Sequence, residues 1–192
     1  MKSSLEWCMR PYISYGNRKV GKIPTFSLPA VVTCPGATPL CKKICYARKA
    51  ERAWPNVLAS RLRNFMISTE EEFTQLMINE IRRRKSVKYF RIHESGDFYD
   101  QLYLEKWFNI ARALPNVKFL AFTKSFHLDF SKRPSNLIIY YSVMPDTTME
   151  VPDDGPRAYL MCGPENIHVC YGKCDECLFC WEVQKDVRMK KH

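Results

Sequence analysis

The middle of the chain is a series of short apolar runs separated by segments of helical periodicity. Runs rich in β-branched and aromatic residues predict strands at 87–93, 117–123 and 137–143, with a weaker strand at 157–161. Residues 100–114 have apolar side chains at helical spacing and predict a helix. This order predicts βαβ units and a mainly parallel sheet, so the fold class is α/β. A closed eightfold barrel takes ~250 residues, so this chain of 192 predicts an incomplete (βα) barrel or an open sheet.

Helices are predicted before the first of these strands. The first covers 46–65, with a break or a new first turn at Pro55. Ser68 stands three residues before Glu71, which predicts a capping box at the start of a second helix. The basic run 82–85 is typical of a helix end, because cations there complement the helix dipole.

Polar residues follow three of the predicted strands, where parallel α/β sheets bind ligands. Glu94, Ser95 and Asp97 follow the first strand, Lys124 follows the second, and Ser142 lies at the end of the third. Strand ends also use such residues simply to turn the chain. Since the three ends meet at one edge of the sheet, we expect these five residues to line a binding site.

Composition adds a cysteine pattern to this fold prediction. The chain has nine cysteines, an odd number, and its first residues do not form an apolar signal segment. Both features favour reduced thiols and a cytoplasmic location. The hundred-odd residues between Cys45 and Cys162 contain no cysteine, so the cysteines form two groups. Buried core cysteines would be spread more evenly, and metal ligation explains the grouping better.

The first group has three cysteines, Cys34, Cys41 and Cys45, on a loop that leads into a predicted helix. A structural zinc site takes four ligands, so three thiolates fit it poorly. They fit a four-iron cluster that leaves one iron open to a ligand. Cys8 stands alone in an irregular N-terminal arm and is interpreted as a free or buried thiol.

The second group has the close spacing of cluster-binding loops, at Cys174, Cys177 and Cys180. Cys162 or Cys170 could supply a fourth ligand. We favour Cys162, because it follows a predicted strand end and would face the same edge as the other site. Zinc competes with a second four-iron cluster here, since CxxC pairs suit both. We expect 1–161 to form an α/β core and 162–192 a cysteine-rich metal-binding segment packed on it, in one compact domain.

The net charge of +10 favours a polyanionic partner such as nucleic acid. No helix-turn-helix or RNA-binding signature accompanies it, so this indication is weak. No stretch reaches the ~20 apolar residues of a membrane span. Part of the charge lies in the run 82–85, which helix termination already explains.

Four motifs together resemble the phage gene-product-88-like family. They are the cysteine loop at 34–47, the segments 90–98 and 122–125, and the ending at 177–181. The resemblance extends from about residue 17 to residue 181. This family brings little settled function, so the resemblance implies a family rather than an activity.

A looser resemblance is to radical S-adenosylmethionine enzymes, in which three cysteines hold a four-iron cluster ahead of βα units. The spacing here is x6 and x3, where those enzymes usually have x3 and x2. The resemblance implies that the open iron binds S-adenosylmethionine. It also implies that Glu94, Ser95 and Asp97 bind the ammonium group of this cofactor, and that Lys124 binds its carboxylate or a substrate phosphate. It implies an electron donor as partner, with Lys124 as the candidate catalytic residue and Ser142 as a further cofactor-binding residue. The alternative is a non-catalytic module that zinc or clusters stabilise and that binds nucleic acid.

Overall fold

The computed structural model describes residues 10–15 and 19–189; Cys8 lies outside the described residues. Eight strands form one open sheet in the order β1-β2-β3-β4-β5-β6-β8-β7. The strands are β1 (Ile13–Ser14), β2 (Thr25–Phe26), β3 (Tyr89–Ile92), β4 (Lys118–Thr123), β5 (Leu137–Val143), β6 (Arg157–Leu160), β7 (His168–Cys170) and β8 (Val187–Met189). Only the β1–β2 pairing is antiparallel among these. The predicted α/β class with a mainly parallel sheet is confirmed, in its open form.

Seven helices are described, and the two predicted around Pro55 are among them. They are α1 (Pro39–Ile44), α2 (Tyr46–Ala53), α3 (Pro55–Thr69), α4 (Phe73–Arg82), α5 (Gln101–Ala113), α6 (Cys174–Cys177) and α7 (Phe179–Glu182). Pro55 occupies the first position of α3, where its missing N–H costs nothing. No helix among the described residues is long and apolar enough to cross a membrane.

The predicted capping box is wrong. Ser68 and Thr69 are the last residues of α3, and their hydroxyls donate back to the carbonyls of Phe65 and Met66 at 2.7 Å. Helix α4 begins after Glu72 without a side-chain cap. The hydroxyls are therefore used by the helix that precedes them, because a Ser or Thr can bond a carbonyl one turn back as well as an amide ahead.

The sheet has two differently covered faces. On one face, Phe90 and Phe119 pack against Trp107 of α5, with ring centroids 6.0 and 6.3 Å from it, and α3 and α4 complete this core. On the other face, Tyr140 packs in a second cluster with Trp181 of α7. The helices of the βα units thus cover one face, and the C-terminal segment covers the other.

The parallel register brings the carboxyl ends of the strands to one edge. Thr123 of β4 pairs with Tyr141 of β5, and Cys170 of β7 pairs with Met189 of β8. Strands β7 and β8 were not predicted, because both have only three residues and lie among cysteines, glycines and charges. They add the C-terminal segment to the sheet and set the position of its cysteines.

Candidate functional site

A cavity of about 220 Å³ lies at the carboxyl ends of the strands and extends over the face covered by the C-terminal segment. Six cysteines from the two ends of the chain line it: Cys34, Cys41, Cys45, Cys170, Cys174 and Cys180. The cavity is therefore the place where the two predicted cysteine groups meet.

The three N-terminal cysteines are called here the N-terminal thiol group. The sequence predicts them on a loop, but only Cys34 lies on the loop before α1; Cys41 lies in α1, and Cys45 lies between α1 and α2. The loop and α1 are fixed to two strand ends. Thr38 caps α1 by accepting from the Cys41 amide at 3.2 Å, and its hydroxyl donates to Asp146 at 2.7 Å. Asp146, which follows β5, also accepts from the Leu40 amide at 2.7 Å. A Cβ on Gly36 would overlap the Lys124 carbonyl, so only glycine allows the loop to lie this close to the end of β4.

The end of β3 supplies the polar wall beside this loop. His93 adopts a left-handed backbone conformation with φ of 61°, and its Nε2 lies 2.8 Å from the Tyr103 hydroxyl. Burial, helped by the charge of Arg91, lowers the pKa of His93 to about 3, so the ring is neutral near pH 7. His93 Nδ1 and Ser95 Oγ have no hydrogen-bond partner among the described residues, although both residues are buried and line the cavity. Unpartnered buried polar atoms at a cavity are a ligand-binding signal.

The two carboxylates predicted here have different surroundings. Asp97 accepts hydrogen bonds from Thr123 Oγ1 at 2.7 Å and from the amides of Lys124 and Phe98 at 2.8 Å. These bonds tie the β3 and β4 ends together and occupy both carboxylate oxygens. Glu94 also lines the cavity, and its Oε1 lies 4.0 Å from Arg61 Nη2.

Lys124 and Ser142 both line the cavity, as the sequence predicts for residues at the ends of β4 and β5. Burial raises the pKa of the Cys41 thiol, and the positive charge of Lys124 is the largest influence that opposes this rise. Lys124 is therefore close enough to act on the N-terminal thiol group and on a ligand bound beside it.

The C-terminal cysteines converge through a sharp change of chain direction. Leu178 has a φ of 50° and separates α6 from α7, so that Cys180 turns back toward Cys174. A small second cavity beside the main one is lined by four cysteines, Cys170, Cys174, Cys177 and Cys180, called here the C-terminal thiol group. Cys177 Sγ also lies 3.8 Å from His168 Nε2.

Cys162, the favoured fourth ligand in the sequence, does not line either cavity. It follows β6, as predicted, but its Sγ donates to the Val143 carbonyl at 3.6 Å. Cys170 is instead brought to the group by strand β7. The geometry favours Cys170, and the choice of ligand itself stays a prediction.

Two cations at the C-terminal thiol group, Arg91 and Lys19, were not predicted from the sequence. The guanidinium of Arg91 in β3 lies 4.0 Å from the Phe122 ring centroid, and its Nε donates to the His93 carbonyl at 3.2 Å. The Lys19 carbonyl accepts from the Cys174 amide at 2.8 Å, and Lys19 is one of the residues that line the cavity. A charged residue inside a strand of a parallel sheet was the available signal for Arg91, because such strands are normally apolar.

The thiols of both groups lie in environments that disfavour the free thiolate. Burial raises the pKa of Cys34 to about 12, and Asp97 adds to the rise. Burial also raises the pKa of Cys180 to about 12, against the opposing charge of Arg91. Thiolates in these positions need a cationic partner to become stable.

Within residues 10–15 and 19–189, no three or more His, Cys, Asp or Glu side chains form a group that could hold a metal ion. The metal-binding role of both cysteine groups therefore stays a prediction. The nucleic-acid indication is also untested, and part of the basic run has a structural use. Glu80, which is buried, forms ion pairs with Arg10, Arg83 and Arg84.

Comparison with known proteins gives the class to which this fold and cavity belong. The family model described as Gene product 88 matches residues 11–161. The chain therefore belongs to the Gene product 88 family, and that part of the sequence prediction is confirmed. The match includes the N-terminal thiol group and the ends of β3, β4 and β5, and stops before the C-terminal thiol group.

Two phage proteins are similar to the chain. It is 33% identical over 147 residues to the Gene 88 protein of Mycobacterium phage L5 and 31% identical over 147 residues to the Gene 88 protein of Mycobacterium phage D29. Each match covers 68% of this chain and 61% of the relative, so the chain spans less than two thirds of their length. No solved structure matches the chain. The looser resemblance to radical S-adenosylmethionine enzymes finds no support in these comparisons.

Proposed function

We propose that this protein is an iron–sulfur enzyme in which two four-iron clusters face one cavity, and that the N-terminal cluster has an open iron that binds S-adenosylmethionine. The observation that supports it best is the set of six cysteines, from two distant parts of the chain, that line a single cavity. A purely structural metal site has little reason to face an open cavity.

The donor set fits such clusters. Three thiols line the cavity at the N-terminal loop, and four surround the smaller cavity next to it. Thiolates of a cluster bind different irons, so they lie farther apart than the ligands of one zinc ion. When bound, a three-thiolate cluster would offer one iron to the amino and carboxylate groups of the cofactor.

The polar wall supports a cofactor at that position. Ser95 Oγ and neutral His93 Nδ1 have no partner among the described residues and lie beside the N-terminal loop. Ser95 and the nearby Glu94 carboxylate would receive an ammonium group, while Lys124 would receive a carboxylate or a substrate phosphate. Asp97 has a supporting role, because its oxygens already hold the ends of β3 and β4 together. Ser142 would contact the ligand from β5. An external electron donor is the partner that this chemistry requires.

The test is anaerobic purification followed by iron and sulfide analysis and by electron paramagnetic resonance with and without S-adenosylmethionine. The titration uses Cys177→Ser, which should keep only the N-terminal cluster, with Cys162→Ser as the control that should keep both. We expect the cofactor to change the spectrum of both variants. A colourless protein that carries zinc would favour the non-catalytic binding module. An iron-replete protein with an unchanged spectrum would overturn the radical-enzyme proposal.

A further inference from the structure

The two thiol groups that line the main cavity differ in the charges around them. At the N-terminal thiol group, burial raises the pKa of Cys41, Lys124 is the charge that opposes this most, and Asp97 and Asp146 add to the rise. At the C-terminal thiol group, burial raises the pKa of Cys174, and both Arg91 and Lys19, which line the cavity with it, oppose the rise. The N-terminal end thus combines one cation with two carboxylates, whereas the C-terminal end has two cations beside its thiols.

Both cations are built into the fold at the C-terminal end. Arg91 is fixed by the Phe122 ring at 4.0 Å and by the His93 carbonyl at 3.2 Å, and neither contact neutralises its charge. Burial lowers the pKa of Arg91, and the ionisable neighbours that oppose this most are Cys174, Tyr46 and Cys180, ahead of Glu94. A guanidinium removed from water needs a compensating negative charge.

Lys19 is held at the same place by the backbone. Its carbonyl accepts from the amide of Cys174 at 2.8 Å, and its Cγ lies 3.6 Å from the position of a Cβ on Gly172. The aliphatic part of Lys19 therefore lies beside Gly172, between Cys170 and Cys174 in the sequence, and Lys19 lines the cavity with both cysteines.

We propose that Lys19 and Arg91 are the counter-charges of a cluster held by Cys170, Cys174, Cys177 and Cys180, and that they make this cluster easier to reduce than the N-terminal one. The inference rests on the proposed function. Four thiolates around a four-iron core in its oxidised 2+ state leave a net charge of about −2, which two cations balance. Reduction adds one more negative charge, and nearby cations stabilise it. The N-terminal cluster has one such cation, Lys124, and the carboxylates of Asp97 and Asp146 oppose its effect.

The reduction step is a one-electron transfer. An added reductant such as dithionite donates one electron and is oxidised, and the cluster core passes from 2+ to 1+. No bond to the protein forms or breaks, and no proton is needed. The order of reduction directs an electron from the N-terminal cluster toward the C-terminal one, across the cavity.

Redox titration of matched variants tests the proposal. Lys19→Met and Lys22→Met each remove one positive charge from the same loop. Both variants keep a backbone contact with the C-terminal segment, because the Lys19 carbonyl accepts from the Cys174 amide and the Lys22 amide donates to the Asp175 carboxylate. The Lys22 side chain is exposed and does not line the cavity. We expect two reduction steps in the wild type. Lys19→Met should shift the higher step downward and leave the lower one unchanged, whereas Lys22→Met should shift neither.

Assignment of the steps uses Cys41→Ser, which should retain only the higher step. Arg91→Gln should move the higher step in the same direction as Lys19→Met. If Arg91→Gln does not fold, the comparison of Lys19→Met with Lys22→Met tests the proposal without it. The inference would be overturned if Lys19→Met and Lys22→Met gave identical titrations. It would also be overturned if Cys41→Ser retained the lower step. Either result would leave the two clusters of the proposed function in place. A wild-type protein without iron would instead overturn the proposed function.

Discussion

The N-terminal and C-terminal thiol groups are presented to the cavity in different ways. The N-terminal loop is held from outside, by Asp146 after β5 and by the close approach of Gly36 to the backbone of β4. The C-terminal group is held by its own local structure, strand β7 and the two short helices that meet at Leu178. The first group has three cysteines, one cation and two nearby carboxylates, and the second has four cysteines and two cations.

Under the proposed function, this difference would give one cavity two kinds of metal environment. A group with three thiolates and a polar wall can keep a coordination position for a ligand. A group with four thiolates and built-in cations can be complete without one. The predictions below test whether the two regions differ in this way.

The largest expected effect is on iron content. Cys41→Ser should lose about four of about eight irons, because only the N-terminal cluster depends on it. Cys177→Ser should lose about four from the other group. Iron analysis of anaerobic protein measures both, with Cys162→Ser as the control that keeps all. Loss of iron from Cys162→Ser and not from a Cys170→Ser variant would restore Cys162 as the fourth ligand.

A second effect compares one glycine of each region. Gly36→Ala should reduce the free energy of unfolding by about 3 kcal/mol, because its Cβ overlaps the Lys124 carbonyl. A Cβ at Gly172 would have room, since the nearest atom, Lys19 Cγ, would be 3.6 Å away. Gly172→Ala should therefore reduce the free energy of unfolding by only about 1 kcal/mol, because alanine is strained at the φ of +76°. Urea denaturation measures both. Equal losses would contradict the close approach of the N-terminal loop to β4.

The polar wall beside the N-terminal loop predicts a pH dependence. The pKa of His93 is lowered to about 3 by burial, below its ordinary value of 6.5, so the unfolded chain binds a proton that the folded protein does not. Stability is therefore full above pH 6.5 and falls as the pH is lowered toward 3, by up to about 1.4 kcal/mol per pH unit. Urea denaturation between pH 7 and pH 5 should show this slope. His93→Asn should flatten it, whereas the exposed His127→Asn should keep it.

The smallest effect concerns the helix caps of the two regions. Thr38 caps α1 through its side chain, so Thr38→Ala should cost about 1 kcal/mol and loosen the loop that carries Cys41. Lys173, the residue before α6, makes no side-chain cap bond, and its ion pair with Glu176 is exposed. Lys173→Ala should therefore leave the unfolding free energy unchanged within error. Thermal unfolding of the two variants side by side gives the comparison.

Much of the fold could be predicted because the central strands follow clear periodicity. Strand β5 has the predicted bounds, and α5 differs from its prediction by one residue at each end, since Asp100 caps the helix rather than joining it. The sequence also placed Glu94, Ser95, Lys124 and Ser142 at one edge, because parallel strands end together.

Other features could not be predicted because they depend on tertiary contacts. Cys170 reaches the cavity through the three-residue strand β7, which has no periodicity of its own. Lys19 belongs to a segment without a pattern, and its position follows from one backbone bond to Cys174. The role of Asp97 changes for a similar reason, since its partners Thr123 and Lys124 come from the next strand.

The most direct test of the central claim is the electron paramagnetic resonance spectrum of the fully reduced wild-type protein. It should be compared with the sum of the spectra of Cys41→Ser and Cys177→Ser, each of which retains one cluster. If the proposed clusters are both present and face one cavity of about 220 Å³, we expect their spins to interact when both are reduced. We therefore predict a wild-type spectrum that is broadened or split relative to the sum. A spectrum equal to the sum, or one with a single cluster, would contradict the account.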